Sequence, residues 1–399
     1  WYQRRVRGMS KYAYLDNQAT TPMDPRVLSK MIPFMTTAYA NCHSQHKVGR
    51  EVALAVEEAR SNIAKLINAN PNEIIFTSGA TEANNIAIKG VAKYYADKKN
   101  HLITSKFEHK CVLESMRAME AEGFNVHYIG VDSDGRLLLD ELEDCLKTND
   151  QKTSLVSVMG ANNEVGTIQD LQRIGQISHQ YGAFLHSDCA QLTGKKPIDV
   201  RAENIDLMSI SGHKMYGPKG AGALFINKKQ RVRLVPLITG GGQEGNIRSG
   251  TLPVFLCVGM GEAAHILLTE LPKDLEHYKK LSEIATKELA DVTKTRFNGS
   301  LEHRIPNNLN VSFMGVEGES LMLAIDNKVA VSTGSACTSQ SLEPSHVLHA
   351  MGLPAEVAHT AVRIGFGRFN TEEEVKFGMK EIKKEVSRLR EISCLWEEK

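Results

Sequence analysis

Five short polar segments of this sequence carry residue types that can do chemistry, and each follows an apolar run that we predict to be a strand. Ligands of open parallel sheets bind outside the carboxyl ends of the strands. We therefore expect the five segments to meet at one edge of a sheet. They are 78–81 (Ser-Gly-Ala-Thr), 108–109 (Glu-His), 162–164 (Asn-Asn-Glu), 188–191 with Asp188 and Gln191, and 211–214 (Ser-Gly-His-Lys).

Lys214 and Asp188 indicate a pyridoxal-phosphate (PLP) site. A sheltered lysine can form a Schiff base, and a carboxylate can keep the pyridine nitrogen protonated, which makes the ring an electron sink. The helix start in 78–81 can offer free N–H groups to a phosphate. Each residue also has an ordinary explanation: Lys214 as a solvated charge, Asp188 as a loop acid, His109 as a local cap and 78–81 as an N-cap. A PLP site explains all five segments together.

Cys337 lies in a run of small polar residues, 332–341. A structural cysteine is usually surrounded by apolar residues, whereas a reactive thiol must be accessible. We predict that Cys337 is a nucleophile on a mobile loop, and chance exposure is the alternative. Segment 41–46 (Asn-Cys-His-Ser-Gln-His) has no second ligand pair at zinc-finger spacing, so we expect no metal there.

The secondary-structure pattern that must position these residues changes once along the chain. From residue 73 to 226 predicted strands alternate with helices, which is typical of an α/β fold with a mostly parallel sheet. After about residue 266 come charged helices and two short strands. We predict a large cofactor-binding domain over 15–265. A smaller α+β domain over 266–399 would carry the cysteine loop, with 1–14 packing near it.

Composition restricts the class of protein. The chain has 399 residues and a net charge of +1, so we expect neither direct nucleic-acid binding nor an anionic membrane partner. Its seven cysteines include no CxxC pair, which favours a reducing compartment over a disulfide framework. The apolar stretch 254–268 is interrupted by glycines and polar residues, so we predict no transmembrane helix. The first ten residues hold three arginines and no acid, which is typical of the end of a transit peptide or of a ragged terminus.

At these motifs the sequence resembles cysteine desulfurases of the NifS/IscS type, group I, in the class V aminotransferase family, including mitochondrial members. The resemblance extends from about residue 14 to 396. It implies the PLP-dependent fold type I, a homodimer with the site at the dimer interface, and removal of sulfur from L-cysteine to give L-alanine and a persulfide on Cys337. Matching segments include YLDNQATTP (14–22), TSGATEANN (77–85), FEHKCVLE (107–114), SGHKMYGPKG (211–220) and STGSACTSQSLEPSHVL (332–348).

The resemblance also implies a role for each site residue. Lys214 would bind PLP covalently, and His109 would stack on its ring and move protons. Asp188 would pair with the pyridine nitrogen and Gln191 would bond the phenolic oxygen. Asn163 would contact cofactor and substrate, and Arg363 would bind the substrate carboxylate. The phosphate would be held by Ala80, Thr81, Ser211 and His213, with Thr251 reaching in from a second subunit.

The partners implied by the resemblance are an iron–sulfur scaffold protein, frataxin, a LYR-motif accessory protein and acyl carrier protein. Sulfur would go to iron–sulfur cluster assembly and to tRNA thiolation, and Cys337 would be a transient iron–sulfur ligand shared with the scaffold. The compartment would be the matrix of a mitochondrion or mitosome, with the bacterial cytoplasm as the alternative. Rival functions are a selenocysteine lyase, another class V PLP enzyme, or a non-enzymatic assembly platform.

Two departures from the family pattern stand out. The arginine that usually follows the glutamate of the GQERG motif is absent, since Glu244 is followed by Gly245. Relatives also continue beyond the segment around Trp396, so we expect a smaller scaffold-binding surface here.

Overall fold

The computed structural model describes residues 12–334 and 345–393. Seven strands form the central sheet, namely β2 (Ile74–Thr77), β3 (His101–Ser105), β4 (Asn125–Ile129), β5 (Thr153–Ser157), β6 (Phe184–Asp188), β7 (Leu207–Ser211) and β8 (Gly222–Ile226). Their order is β2-β8-β7-β6-β5-β3-β4. Only β8 pairs antiparallel with its neighbours in this sheet, so the sheet is mostly parallel. The predicted α/β class is confirmed.

Helices cover both faces of this sheet. Apolar residues of the helices over 80–95 and 110–121 pack on one face, and residues of the helices over 47–66, 139–148, 171–180 and 254–289 pack on the other. β5 and β7 are buried at every residue, as expected of strands that are covered on both faces. The helices in chain order are α1 (Pro25–Thr36), α2 (Lys47–Leu66), α3 (Ala80–Tyr95), α4 (Lys110–Ala121), α5 (Leu139–Thr148), α6 (Leu171–Gln180) and α7 (Val254–Leu289).

A second hydrophobic cluster lies around a smaller antiparallel sheet of order β12-β10-β9. Its members include Leu15, which precedes the large sheet, so the start of the described chain packs with this later part. The elements are β1 (Ala13–Tyr14), β9 (Thr295–Phe297), β10 (Asn308–Phe313), α8 (Gly318–Ile325), β11 (Val329–Ala330), α9 (His346–Ala350), α10 (Ala355–Ala358), β12 (Ala361–Gly365) and α11 (Glu372–Ile392), with β1 pairing parallel with β11.

Helix α7 connects the two hydrophobic clusters. Its residues up to Leu271 pack in the larger cluster, whereas Leu281, Ala285 and Leu289 pack in the smaller one. The predicted boundary at 265/266 therefore falls inside a continuous helix, and the division into two domains stays a prediction. We expected a separate charged helix over 273–292, but α7 continues through Pro272. Proline removes one backbone hydrogen bond there, and packing on both clusters offsets that loss.

By length and composition alone, α7 could cross a membrane. However, 61% of its most apolar 18-residue stretch is buried inside the fold. A mostly buried core helix can be as long and as apolar as a membrane-spanning helix, so α7 is only weak evidence for a membrane span.

Candidate active site

A pocket of about 410 Å³ lies at the carboxyl ends of the parallel strands. Among the residues proposed from the sequence, ten line it: Ala80, Thr81, His109, Asn163, Asp188, Gln191, Ser211, His213, Lys214 and Arg363. The strand-end rule correctly places these segments together, because parallel neighbouring strands deliver their following loops to the same sheet edge.

Lys214 ends a short 3-10 turn, Gly212–Lys214, directly after β7. Its Nζ donates hydrogen bonds to the backbone carbonyl oxygens of Gln18 and Ala19, the second at 2.9 Å. Lys195 supports the same turn from below, because its Nζ donates to the Lys214 carbonyl at 3.0 Å. The catalytic candidate is therefore held by the chain segment before α1 and by a second, buried lysine.

Asp188 is the last residue of β6 and is 6% exposed. Its Oδ2 accepts a hydrogen bond of 2.7 Å from Nδ2 of Asn84, and its Oδ1 accepts one of 2.9 Å from the Ala190 N–H. Two donors stabilise the ionised form of a carboxylate. A carboxylate held in this way can receive the N–H of a protonated pyridine.

His109 is the N-cap of α4, and its Nδ1 accepts a hydrogen bond of 3.2 Å from the Cys111 N–H. In the neutral ring this leaves the proton on Nε2. Burial lowers the pKa of His109. The charge of Asp188 acts in the opposite direction and raises this pKa, whereas the charge of Lys214 lowers it further. The local-cap explanation is therefore correct, but the same ring also lines the pocket.

The start of α3 faces the pocket with Ala80 and Thr81 after Gly79. The N-cap Gly79 has no side chain that could cap this helix start, and Glu82 Oε2 accepts from the Ser78 N–H, which lies before the helix, at 2.6 Å. The N–H groups of the first turn itself can bind an anion. A Cβ on Gly222 would lie 2.5 Å from the Gly79 Cα, so the turn can pack here only against glycine. His213 is nearby, with Nδ1 3.0 Å from the Thr20 hydroxyl, and burial lowers its pKa to about 4.

Arg363 and Asn163 form the opposite end of the pocket. Arg363 is 2% exposed; its Nη1 donates to the Asn163 carbonyl at 3.0 Å and its Nη2 to Oδ1 of Asp16 at 2.8 Å. Arg363 Nε and Asn163 Oδ1 are buried and have no hydrogen-bond partner within the described parts of the chain. Buried polar groups are normally satisfied, so we expect a polar ligand at this end of the pocket to bond these two atoms.

Gln191 lines the pocket, and its expected bond to the phenolic oxygen stays a prediction. Its Nε2 donates to the Gln18 carbonyl at 3.0 Å, the oxygen that Lys214 also contacts. Gln18, Asp16 and Asn84 were missed as site residues. All three lie in segments that match the family motifs, 14–22 and 77–85. No pattern of apolar residues, however, indicated that these segments would reach the carboxyl ends of the strands.

The pocket residues fit PLP. The cofactor needs four kinds of contact, and the pocket offers each of them: a lysine at a strand end for the aldehyde, a doubly hydrogen-bonded carboxylate for the pyridine nitrogen, an imidazole for the ring and a helix start for the phosphate. Two buried unpartnered atoms at the arginine end remain for a substrate.

Two predicted site residues are not among those that line this pocket in the described part of the chain, one of them because the structure does not describe it. Thr251 is exposed and does not line it among the described residues, so its role toward a second subunit stays a prediction. Cys337 lies outside the described residues. The residues that flank 335–344 both reach Glu164, since Ser345 Oγ donates to its Oε2 at 2.5 Å and a Cβ on Gly334 would lie 3.3 Å from the same atom.

The site can now be compared with known proteins. The sequence profile of the family described as "Aminotransferase class-V" matches residues 13–377. The chain belongs to this family. Its members depend on PLP, and the predicted resemblance is confirmed.

Curated relatives carry desulfurase names. The chain is 52% identical over 397 residues to "Cysteine desulfurase, mitochondrial" of Eremothecium gossypii, which covers 99% of this chain and 80% of that protein. It is 55% identical over 395 residues to "Cysteine desulfurase IscS" of Rickettsia africae, covering 98% and 95%. A solved "NIFS-LIKE PROTEIN" has a TM-score of 0.88 and 40% identity, with 94% of this chain and 100% of that chain covered.

Proposed function

We propose that this protein is an L-cysteine desulfurase that uses PLP and forms a persulfide on Cys337. The observation that carries the proposal is the pocket that joins Lys214 and Asp188 to the Arg363–Asn163 pair. The 52–55% identity to curated cysteine desulfurases over nearly the whole chain supports the same activity.

When bound, PLP supplies an electron sink for the carbon from which a proton is removed. Asp188 would hold its pyridine nitrogen, fixed in place by Asn84 and the Ala190 N–H. The uncapped N–H groups of α3 and the side chains of Ser211 and His213 would hold its phosphate. His109 would lie against the ring with its proton on Nε2.

L-Cysteine would bind with its carboxylate on Arg363, where a guanidinium can grip both oxygens. Nε of Arg363 is available for this contact, and Asn163 Oδ1 can accept from the amino group. The carbonyl contacts of Lys214 with Gln18 and Ala19 hold its amine at the pocket wall, from which it can take the Cα proton of the substrate.

The Cys337 thiolate would attack the sulfur of the substrate. The new S–S bond forms as the Cβ–S bond of the substrate breaks, and the carbon fragment takes up protons and leaves as L-alanine. The net exchange is balanced: one sulfur passes from cysteine to the enzyme thiol without an external oxidant. Both flanks of 335–344 reach Glu164, beside Asn163, which supports delivery of this segment to the substrate end of the pocket.

The test is single-turnover alanine release with L-cysteine. Intact protein should release one alanine per site and carry one labile sulfur on Cys337, whereas Cys337→Ser should bind PLP and L-cysteine but release none. Full alanine release by Cys337→Ser would refute the persulfide route and favour a lyase that needs no enzyme thiol. L-Selenocysteine as a second substrate distinguishes a selenocysteine lyase.

We also propose the homodimer, with Thr251 completing the partner's phosphate site, and the iron–sulfur scaffold as principal sulfur acceptor. Exposure of Thr251 supports the first point. The mitochondrial relative from Eremothecium gossypii supports a mitochondrial compartment, and the bacterial relatives support the cytoplasmic alternative. In a mitochondrion, the further partners would be frataxin, a LYR-motif accessory protein and acyl carrier protein. Cross-linking of purified protein and copurification with each candidate test these assignments.

A further inference from the structure

Three side chains of metal-ligand type meet at the amino-terminal edge of the sheet, opposite the candidate active site. His101 is the first residue of β3, His127 lies in the edge strand β4 and Cys145 lies in α5. Their ligand atoms all lie within 4.8 Å of one another. His101 is 1% exposed, Cys145 is partly buried and His127 is exposed, so the cluster opens to solvent on one side.

The buried histidine is held in the orientation that a metal ligand needs. Nδ1 of His101 lies 2.7 Å from the Thr153 hydroxyl, and its Nε2 lies 2.7 Å from Nδ1 of His127. With Nδ1–H donating to Thr153, the Nε2 lone pair points toward the other two side chains. Metal-bound histidines commonly have their second nitrogen fixed in this way.

A simple packing explanation accounts for only part of this cluster. A cross-strand hydrogen bond between two histidines satisfies the buried ring without a metal. Cys145 also packs beside the larger hydrophobic cluster, but its sulfur lies within 4.8 Å of a ligand nitrogen of each ring, which that hydrogen bond does not require. Two imidazoles and one thiolate are a ligand set suited to Zn²⁺.

The spacing is close to that of a zinc site. Bond lengths of about 2.0–2.1 Å to nitrogen and 2.3 Å to sulfur give ligand separations of roughly 3.3–3.7 Å in a tetrahedron. The observed separations, 2.7 Å between the rings and up to 4.8 Å over the set, lie on both sides of this range. Small rotations of the exposed His127 and of Cys145 would equalise them, with water as the fourth ligand.

We propose that His101, His127 and Cys145 bind one Zn²⁺, with Thr153 as the positioning residue for His101. On binding, the Cys145 thiol loses its proton to solvent, and the proton on Nδ1 of His127 moves to its exposed Nε2. The metal would join edge strand β4 and helix α5 to the inner strand β3. Since this edge is opposite the pocket, the ion would stabilise the fold and take no part in the reaction.

The test uses PLP-loaded, metal-stripped protein with Cys337→Ser as the parent, so that the reactive thiol cannot bind metal. Co²⁺ serves as the spectroscopic probe, because cobalt bound to a thiolate shows a charge-transfer band. The parent should bind one Co²⁺ with this band, and Zn²⁺ should displace it. Bound Zn²⁺ should also raise the melting temperature in a concentration-dependent way.

Cys145→Ser should abolish the band, and His127→Gln, at an exposed position, should weaken binding at least tenfold. Thr153→Val should weaken it roughly ten- to hundredfold through the position of His101 alone. Cys42→Ser is the matched control, because the Cys42 Sγ also lies beside a histidine, 3.4 Å from Nδ1 of His43. Within 12–334 and 345–393, no third ligand joins this pair. A band that persists in Cys145→Ser, an unchanged Co²⁺ affinity in His127→Gln, or no cobalt bound by the parent would overturn the proposal. If Cys145→Ser does not fold, His127→Gln decides alone.

Discussion

Replacing Asn84 tests whether its hydrogen bond to Asp188 determines how tightly PLP is held. Asn84 is fully buried, and its Nδ2 donates to Oδ2 of Asp188 at 2.7 Å. Asn84→Leu keeps a similar volume and removes the donor. The Ala190 N–H still donates to Oδ1 at 2.9 Å, so the carboxylate would keep one of these two hydrogen bonds.

The size of the effect follows from the charge on Asp188. A hydrogen bond to a charged group contributes about 1.5–3 kcal/mol, and about 1.4 kcal/mol is a tenfold change in an equilibrium constant. PLP affinity should fall roughly 10- to 150-fold if the ionised carboxylate is what holds the pyridine nitrogen.

The assay is an absorbance titration of apoprotein with PLP, for the parent, Asn84→Leu and Asn85→Leu. Asn85 is the matched control: it is the next residue, and its Nδ2 donates to the Thr81 carbonyl, at 2.9 Å, within the same helix. Equal PLP affinity in Asn84→Leu and Asn85→Leu would refute the reasoning, because Asp188 would then need no support from Asn84.

Three further results are expected. Borohydride reduction of the PLP-loaded protein should fix the cofactor on Lys214, and peptide mapping that finds it on another lysine would contradict the site. Glu244→Ala should lower the free energy of unfolding by about 3–5 kcal/mol, because it leaves Arg60 buried without its bidentate partner. Glu57→Ala removes the exposed partner of the same arginine and should lower it by only about 0–1 kcal/mol. Similar urea midpoints for the two variants would contradict this predicted difference in stability. Burial lowers the pKa of Lys195 to about 7, so between pH 7 and roughly 10 the unfolded chain holds more protons and stability should rise with pH. Lys195→Met should flatten that rise in melting temperature while Lys196→Met should not, and equal slopes would show that Lys195 is not responsible.

The strand ends could be predicted from local pattern alone. Asp188 and Ser211 are the last residues of β6 and β7, where apolar runs meet polar segments. Lys214 follows at once, so its place at the carboxyl edge needed only the rule for parallel sheets. The course of α7 could not be predicted in this way, because Pro272 and nearby charges favour a break that packing on two hydrophobic clusters overrides.

By itself the sequence determined the α/β class, the segments that carry chemistry and the family, because periodicity and motifs are local properties. Only the tertiary structure decided which distant groups complete each site. The Gln18 carbonyl meets Lys214 across 196 residues of chain, and Asp16 meets Arg363 across 347. His101, His127 and Cys145 come together only because β4 lies at the sheet edge beside β3. Strand order and the return path of each helix set such contacts, and no short-range spacing of residues encodes them.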